Sequence, residues 1–399
     1  MVDILEKFKC TGCTACYNIC PKQCITMESD NEGFWYPNID KNKCINCNLC
    51  EKVCPIINPI KKDDSKKIAY AVINKDFKVR LKSSSGGVFS ILAEYIIENN
   101  GIVYGASFDE NFNIKHKRIS CITNLDLLRG SKYVQSFIGN IYQQVKNDLE
   151  NNKQVLFSGT PCQVEGLRSY LRKEYVNLIT MDFICHGVPS PLVWKKYIEE
   201  MNLSKQENIK NIYFRNKDNG WRSFSLKIIF DKKVYINSVK NDLFMKGFLQ
   251  DIYLRPSCYS CEFKKINRIS DITVADFWGI EYVLPNLDDD KGISSVVIHT
   301  EKGKYLFDKL KDKMIFNEVK LNDILKYNPS MLVSAKYNKK REGFFSELNS
   351  EKELIDLIKK YTKISFKERI KYKLRLGSNV SFKERIKYKL KLIVKKIIG

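Results

Sequence analysis

The sequence predicts a protein of mixed α+β and α/β class: a small cysteine-rich domain, an α/β body around a mixed sheet, and a helical C-terminal region. Nine of the 14 cysteines lie in residues 1–60. Strand-like and helix-like segments alternate from residue 68 to about residue 300, and a helical pattern follows residue 302. With 399 residues, 44% of them hydrophobic, the chain is long enough for two or three domains with buried cores.

These patterns divide the chain into five parts. Residues 61–67 (KKDDSKK) hold no apolar side chain and are predicted to be an exposed linker. The parts are the cysteine-rich domain (1–60), the two parts of the body (66–150 and 151–300), a helical extension (301–360) and a basic tail (361–399).

The cysteine-rich domain contains the same spacing twice, C-x2-C-x2-C-x3-C-P, at residues 10–21 and 44–55. This is the spacing of a ferredoxin that carries two [4Fe–4S] clusters, in which the fourth cysteine of each run binds the other cluster. Two complete copies with both prolines argue against zinc. Cys24 lies outside the motif and is expected to be a small buried residue. The spacing assigns Cys10, Cys13, Cys16 and Cys54 to one cluster, and Cys44, Cys47, Cys50 and Cys20 to the other.

Between the two cysteine runs, residues 25–27 and 34–39 flank a turn at 31–33, which predicts a short hairpin that covers the clusters. In the body, predicted strands at 68–74, 101–106, 154–158 and 177–184 alternate with predicted helices at 88–97, 138–149, 163–171 and 191–201. This order favours a parallel pair of strands within an α/β sheet. Shorter antiparallel strands are predicted at 210–240, and further strands at 272–277 and 294–299.

Four body cysteines supply a further set of candidate metal ligands. Cys162 follows one predicted strand and Cys185 follows the next, so both are expected at the carboxyl edge of the sheet. Cys258 and Cys261 form an additional C-x2-C pair. Spacing alone leaves four readings open: a third iron–sulfur cluster, a structural zinc site, a redox pair, or independent buried cysteines. Cys121 belongs to no motif and is expected in the core.

A set of motifs follows one another along the chain: the ferredoxin domain, KSSSGGVFS (82–90), RGSKYVQS (129–136), SGTPCQ (158–163), CHGVPSP (185–191), the C-x2-C pair and DITVADFWGI (271–280). Their order resembles the coenzyme F420 hydrogenase/dehydrogenase β-subunit family, over about residues 1–300. The resemblance implies that Cys162, Cys185, Cys258 and Cys261 hold a third [4Fe–4S] cluster, and that the body binds a flavin, usually FAD.

The flavin expectation is attached to two segments. Ser84, Ser85, Gly86 and Gly87 precede a predicted helix, where amides and hydroxyls can meet a pyrophosphate and the helix dipole favours an anion. Lys132 and Gln135, with Arg129, are candidates for contacts to the flavin ring. A solvated loop and helix cap is the alternative for both segments. His186 is a candidate proton relay or capping group, and Arg268, Asp276 and Trp278 are candidates for shaping the pocket.

The formal charge of +22 is unevenly distributed, because residues 361–399 hold 13 Lys/Arg and two acidic residues. The decapeptide SFKERIKYKL occurs there twice, and a basic amphipathic helix of this kind suits an anionic membrane surface. The alternative is a solvated helix pair that folds back on the body. We expect no nucleic-acid partner. The sequence shows no secretory signal, so we expect a cytoplasmic location, with the tail bringing the protein to the inner face of the membrane.

Together these features predict an iron–sulfur flavoprotein oxidoreductase. In that interpretation a flavin exchanges a hydride with a small two-electron donor, and single electrons pass through the clusters to a redox partner protein. The alternative is a flavin-free iron–sulfur module that serves a partner enzyme, for which surface polysaccharide biosynthesis is a conceivable setting. A third interpretation is a membrane-associated scaffold with structural clusters. The sequence leaves the donor, the acceptor, the choice between FAD and FMN, and the direction of electron flow undetermined.

Overall fold

The computed structural model describes residues 6–60, 67–350 and 352–363. The predicted linker at 61–67 lies outside the described residues except for its last residue, and the basic tail at 361–399 lies outside them except for its first three. The repeated decapeptide is therefore a feature of the sequence only.

The cysteine-rich domain is built around a two-stranded antiparallel hairpin. Its elements are α1 (Ala15–Ile19), β1 (Ile25–Ser29), β2 (Trp35–Ile39) and α2 (Leu49–Lys52). The register pairs Ile25 with Ile39, and the turn between the strands contains Gly33 with φ of 87°. A Cβ at Gly33 would lie 2.3 Å from the Cβ of Leu192, so the glycine lets this turn pack directly on the body. The predicted hairpin is confirmed.

The body contains two sheets, one of eight strands and one of three. The eight-stranded sheet has the order β13-β3-β12-β11-β7-β6-β4-β5, and the small sheet has the order β10-β9-β8. The strands are β3 (Ile68–Asn74), β4 (Ile102–Phe108), β5 (Ile114–Ile119), β6 (Val155–Ser158), β7 (Leu178–Phe183), β8 (Ile209–Asn216), β9 (Ser225–Phe230), β10 (Val234–Ser238), β11 (Ile272–Asp276), β12 (Ser294–Ile298) and β13 (Met314–Val319).

Helices cover the large sheet and connect its parallel strands. Apolar side chains of these helices and of the strands bury each other in separate clusters, which is where the core of the body lies. The helices are α3 (Phe77–Lys82), α4 (Val88–Glu98), α5 (Leu125–Leu128), α6 (Ile141–Glu150), α7 (Pro161–Leu171), α8 (Pro191–Lys205), α9 (Leu243–Leu249), α10 (Ile280–Val283), α11 (Glu301–Lys309), α12 (Leu321–Tyr327), α13 (Lys340–Glu347) and α14 (Leu354–Thr362).

The predicted parallel pair is confirmed, because β6 pairs in parallel with β7, and β7 in turn pairs in parallel with β11. Strands from 66–150 and from 151–300 share the large sheet with β13, which lies beyond residue 300. The mixed-sheet fold class is likewise confirmed. Since the carboxyl ends of parallel strands meet at one edge, the segments after β6, β7 and β11 lie together there.

The prediction that the chain is helical after residue 302 is wrong in one respect. Met314–Val319 form β13, which pairs antiparallel with β3 at the edge of the large sheet. Only its first four side chains alternate in exposure, with Met314 buried and Ile315 exposed. Asn317 and Glu318 are both exposed, so the strand follows from its pairing with β3 and not from a clear sequence pattern. Within the described residues, no helix has the length and apolar character needed to cross a membrane.

Candidate metal centres

The two cysteine runs of the N-terminal domain close around two separate cavities. One cavity, here called the inner cavity, is lined by Cys10, Cys13, Cys16 and Cys54. The other, here called the outer cavity, is lined by Cys20, Cys44, Cys47 and Cys50. The fourth cysteine of each run has crossed to the cavity formed by the other run, as the spacing predicts.

The loops around the two cavities repeat the same backbone pattern. Two residues after the first cysteine of each run, Gly12 has φ of 66° and Asn46 has φ of 50°. Four residues after it, Thr14 has φ of 65° and Asn48 has φ of 57°. Alternation of left-handed with ordinary residues turns successive backbone N–H groups toward one concavity, which suits an anion. The chain therefore holds a strained, anion-favouring loop at each cavity.

Burial distinguishes the two cavities. Cys13, Cys16 and Cys54 are all buried, whereas Cys47 is exposed and lies beside Ile45, which is also exposed. Burial raises the pKa of Cys13 to about 12, so this thiol does not ionise unaided at neutral pH. A metal that binds the sulfur would supply the missing charge and displace the proton. These residues therefore fit the clusters that their spacing predicts.

Cys24 is buried, as expected, but it also lines the outer cavity. Its Sγ lies 3.3 Å from the Sγ of Cys20. Burial raises the pKa of the Cys24 thiol to about 12. This proximity could not be predicted from the sequence, because the residue falls outside the repeated spacing.

The four body cysteines converge at the carboxyl edge of the large sheet. Cys162 is in the first turn of α7, directly after β6, and Cys185 follows β7. Burial raises the pKa of Cys162 well above its usual value, and Cys261, Cys185 and Cys258 add to this by their negative charge when ionised. The four thiols, here called the body site, are therefore neighbours. No group of three metal-binding side chains in the described parts of the chain is arranged to hold a single ion.

Hydrogen bonds and cations surround the body site. The N–H of Val188 donates to the Sγ of Cys258 at 3.4 Å. Burial raises the pKa of Cys185 to about 11, while the positive charges of Lys264 and Arg268 oppose that rise. Lys264 also donates through Nζ to the carbonyl oxygen of Cys185, at 2.5 Å. The site thus combines partly buried cysteines with basic side chains that favour the ionised form of their thiols. Lys264 was not singled out from the sequence, although it follows the C-x2-C pair closely.

The residues predicted to hold a flavin are engaged with the protein itself. The Oγ of Ser84 accepts from the N–H of Ser131 at 2.7 Å, and Ser85 donates through Oγ to the carbonyl of Ile293 at 2.8 Å. A Cβ at Gly86 would lie 2.3 Å from the carbonyl oxygen of Val72, so this glycine serves close packing against the sheet. Gly87 has φ of 89° and precedes the first residue of α4. As arranged, the loop does not form an open cradle for phosphate.

The other two predicted flavin ligands have protein partners as well. Lys132 donates through Nζ to the carbonyls of Leu127 and Arg129, and burial lowers the pKa of its amine to about 7. Gln135 instead contacts the cysteine-rich domain, because its Nε2 lies 3.4 Å from the carbonyl oxygen of Thr11. The six residues predicted to hold a flavin therefore contact several different parts of the protein.

The other residues that the sequence named as candidates for a proton relay or for shaping the pocket also have partners within the protein. His186 hydrogen bonds through Nε2 to Asp251 at 2.6 Å. Arg268 pairs with the buried Asp182 at 3.1 Å, near the body site. Asp276 forms an ion pair with Arg215 at 2.6 Å. The ring of Trp278 stacks on that of Trp221, with the centroids 4.8 Å apart.

Helix α7 connects the body site to the inner cavity. Cys162 and Gly166 are four residues apart and therefore lie on one face of the helix. A Cβ at Gly166 would lie 2.9 Å from the Cβ and 3.1 Å from the Sγ of Cys13. The hydroxyl of Tyr142 donates to the carbonyl of Gln163 at 2.7 Å, and its pKa is raised by burial and by both Cys13 and Cys162. The two thiol sites are thus separated by about one helical turn.

Comparisons with known proteins found two family models that match parts of the chain. Residues 9–56 match the model of the 4Fe-4S dicluster domain. Residues 152–324 match the model for the C terminus of the coenzyme F420 hydrogenase/dehydrogenase beta subunit. One solved structure that the comparison returned is a chain of the F420-reducing [NiFe] hydrogenase complex from Methanosarcina barkeri, studied by xenon derivatization. It is 16% identical, with 80% of this chain and 97% of that chain covered and a TM-score of 0.43. A search of curated proteins gave no match.

Proposed function

We propose that this chain is a three-cluster iron–sulfur oxidoreductase, because residues 152–324 match the model for the C terminus of the coenzyme F420 hydrogenase/dehydrogenase beta subunit and residues 9–56 match the model of the 4Fe-4S dicluster domain. Electrons pass between the body site and the outer cavity by way of the inner cavity. The observation that carries this proposal is the position of α7, which presents Cys162 to the body site and Gly166 to Cys13.

The proposed order of the sites follows from their burial. Three of the four cysteines of the inner cavity are buried, the four cysteines of the body site are partly buried, and, among the cysteines of the three sites, Cys47 of the outer cavity is the exposed one. A partner protein that exchanges single electrons therefore docks at the outer cavity. The chemistry that an iron–sulfur cluster supplies is one-electron transfer, and the residues of this chain set its solvation and surrounding charge.

A third cluster at the body site is supported by the four converging thiols, by the N–H that donates to Cys258, and by Lys264 and Arg268. Zinc is the alternative that the cysteine spacing leaves open, since thiolates are also zinc ligands, although no three metal-binding side chains of the described residues are arranged to hold a single ion. Iron and sulfide analysis distinguishes the two occupants, because a cluster adds iron and sulfide to the protein and a zinc ion adds neither. We therefore expect about 12 iron and 12 sulfide per chain in anaerobically purified protein.

Two serine variants test the body site. Cys258→Ser should lower the iron content to about 8 per chain, because one site loses a ligand and the other two keep theirs. Cys121→Ser is the matched control. Cys121 was expected in the core, but it is exposed, because it lies in the connection after β5, and it belongs to none of the three thiol sets; the variant should retain about 12 iron. About 8 iron in the unaltered protein, with or without zinc, would contradict a third cluster.

A flavin is the second part of the proposal, and the family resemblance alone supports it. The contacts of Ser84, Ser85 and Gly86 favour the alternative, a flavin-free electron-transfer module, because the hydroxyls of the two serines and the N–H of Gly86 already have partners within the protein. Flavin absorbance at one equivalent per chain in the same anaerobic sample would support the flavoprotein, and iron without flavin would support the module.

Association with an anionic membrane surface through residues 361–399 is also proposed, from the repeated basic decapeptide. Deletion of residues 364–399 should abolish binding to vesicles that contain anionic lipid. Unchanged binding would contradict the proposal.

A further inference from the structure

Arg255 lies between the inner cavity and the body site. Its side chain is almost fully buried, with 1% of its surface exposed. The guanidinium donates to the carbonyl of Cys10 at 2.8 Å and to the carbonyl of Trp35 at 3.0 Å. A third bond, of 3.1 Å, joins it to the Oε1 of Gln135. These bonds fix the charge beside the loop that surrounds the inner cavity.

The backbone of the same residue belongs to the body site. The N–H of Arg255 donates to the carbonyl of Val188 at 3.0 Å, and its own carbonyl accepts from the N–H of Cys258 at 2.9 Å. The positive charge of Arg255 is also one of the influences that lower the pKa of the Cys258 thiol, against the larger effect of burial. One residue therefore contacts a ligand loop of each site.

The acceptors of the Arg255 guanidinium are all neutral, and no carboxylate of the described residues forms an ion pair with it. Other buried arginines are different: Arg168 pairs with Asp271, and Arg341 pairs with Glu32. Burying a cation without an anion is costly, so buried charges are normally paired. The cation–π contact with Tyr36, at 4.3 Å from the ring centroid, offsets part of that cost only.

We propose that Arg255 is the shared counter-charge of the inner cluster and the body cluster, and that it raises the reduction potential of both. This inference rests on the proposed function, because it requires iron–sulfur clusters at both sites. Reduction of either cluster adds one electron from an external donor and one unit of negative charge near the guanidinium. A fixed positive charge in a dry site favours the reduced form. Arg255 is thus a positioning residue, which holds one positive charge near both clusters.

The test is an anaerobic redox titration of the full-length, cluster-loaded protein, followed by electron paramagnetic resonance. Cys13→Ser and Cys258→Ser assign the signals of the inner and body clusters by their loss. In Arg255→Met we expect both clusters to become harder to reduce, each by at least a tenfold change in equilibrium constant, which is about 59 mV for one electron. Arg255→Lys, which keeps the charge, should restore both potentials.

Lys232→Met is the matched control, because it removes one positive charge from an exposed residue of the body. It should leave both potentials unchanged. A shift confined to one cluster, or an equal shift in Lys232→Met, would overturn the inference. If Arg255→Met loses iron, Arg255→Lys decides alone, since a shift of about 59 mV or more in that variant contradicts a role for charge. About 8 iron in the unaltered protein would overturn the proposed function and this inference together, whereas about 12 iron with a shift at only one cluster overturns this inference alone.

Discussion

Gly166 of α7 and Cys13 of the inner cavity are in direct contact, because the helix has no side chain at the point where it meets the thiol. A Cβ built on Gly166 would lie 2.9 Å from the Cβ of Cys13 and 3.0 Å from the hydroxyl oxygen of Tyr142. Real side chains do not approach so closely, so the glycine sets the distance between the cysteine-rich domain and the body. The helix that carries Cys162 is thereby held against the inner cavity.

Gly166→Ala should destabilise the protein by about 1–3 kcal/mol, which is the usual cost of overpacking. In a helix interior, a change from glycine to alanine normally stabilises the protein by up to about 1 kcal/mol. The close contact with Cys13 must outweigh this gain for Gly166→Ala to be destabilising. The free energy of unfolding in urea, measured anaerobically on the cluster-loaded protein, checks this. Gly105→Ala is the control, because the nearest atom to its Cβ would be 3.5 Å away. Equal stability of the two variants would contradict the proposed contact.

The rim of the outer cavity is predicted to bind an acidic one-electron carrier. Lys22 lines this cavity, and both Lys22 and Lys41 are exposed residues of the cysteine-rich domain. We expect the double variant Lys22→Glu/Lys41→Glu to slow electron transfer to a strongly acidic ferredoxin by about tenfold at low ionic strength, and by less at high salt. The rate is measured by stopped-flow mixing with protein reduced beforehand.

The matched control for charge is Lys78→Glu/Lys232→Glu, in which two exposed lysines of the body are changed by the same amount. This variant should transfer electrons at nearly the unaltered rate. If both double variants slow the reaction equally, the effect comes from net charge and the outer cavity is not the docking site.

His116 should make the folded protein sensitive to mild acid. Burial lowers the pKa of its imidazole to about 4, and its ring nitrogens contact Ser136 at 2.7 Å and the carbonyl of Ser158 at 3.0 Å. The unfolded chain binds the proton near its ordinary pKa of about 6.5, whereas the folded chain does not, so stability is present above that pH and is lost as the pH falls toward the folded value. Between about pH 7 and about pH 5.5 the loss is about 1 kcal/mol.

His116→Gln removes this titrating group. Its free energy of unfolding in urea should therefore fall less over the same pH interval than that of the unaltered protein. The same dependence on pH in both proteins would show that another group is responsible.

The sequence alone determined the repeated parts of the molecule. The spacing of the two cysteine runs predicted which thiols surround each cavity, because four ligands of one cluster must be brought together by short, defined loops. The periodicity of residues 154–184 predicted the parallel pair β6 and β7, and hence the common edge at which Cys162 and Cys185 lie. The local sequence pattern was sufficient for a correct prediction wherever a metal cluster requires a fixed spacing of cysteines or a buried core requires a fixed spacing of apolar residues.

Only the tertiary structure decided how these parts are joined. The contact of Gly166 with Cys13, the position of Arg255 between two thiol sites and the nearness of Cys24 to Cys20 involve residues whose spacing forms no motif. The strand β13 is likewise stabilised by pairing with β3, which lies far before it in the chain. The physical reason is that the effect of a buried guanidinium or of a missing side chain depends on the groups that pack against it. The whole fold determines which groups those are.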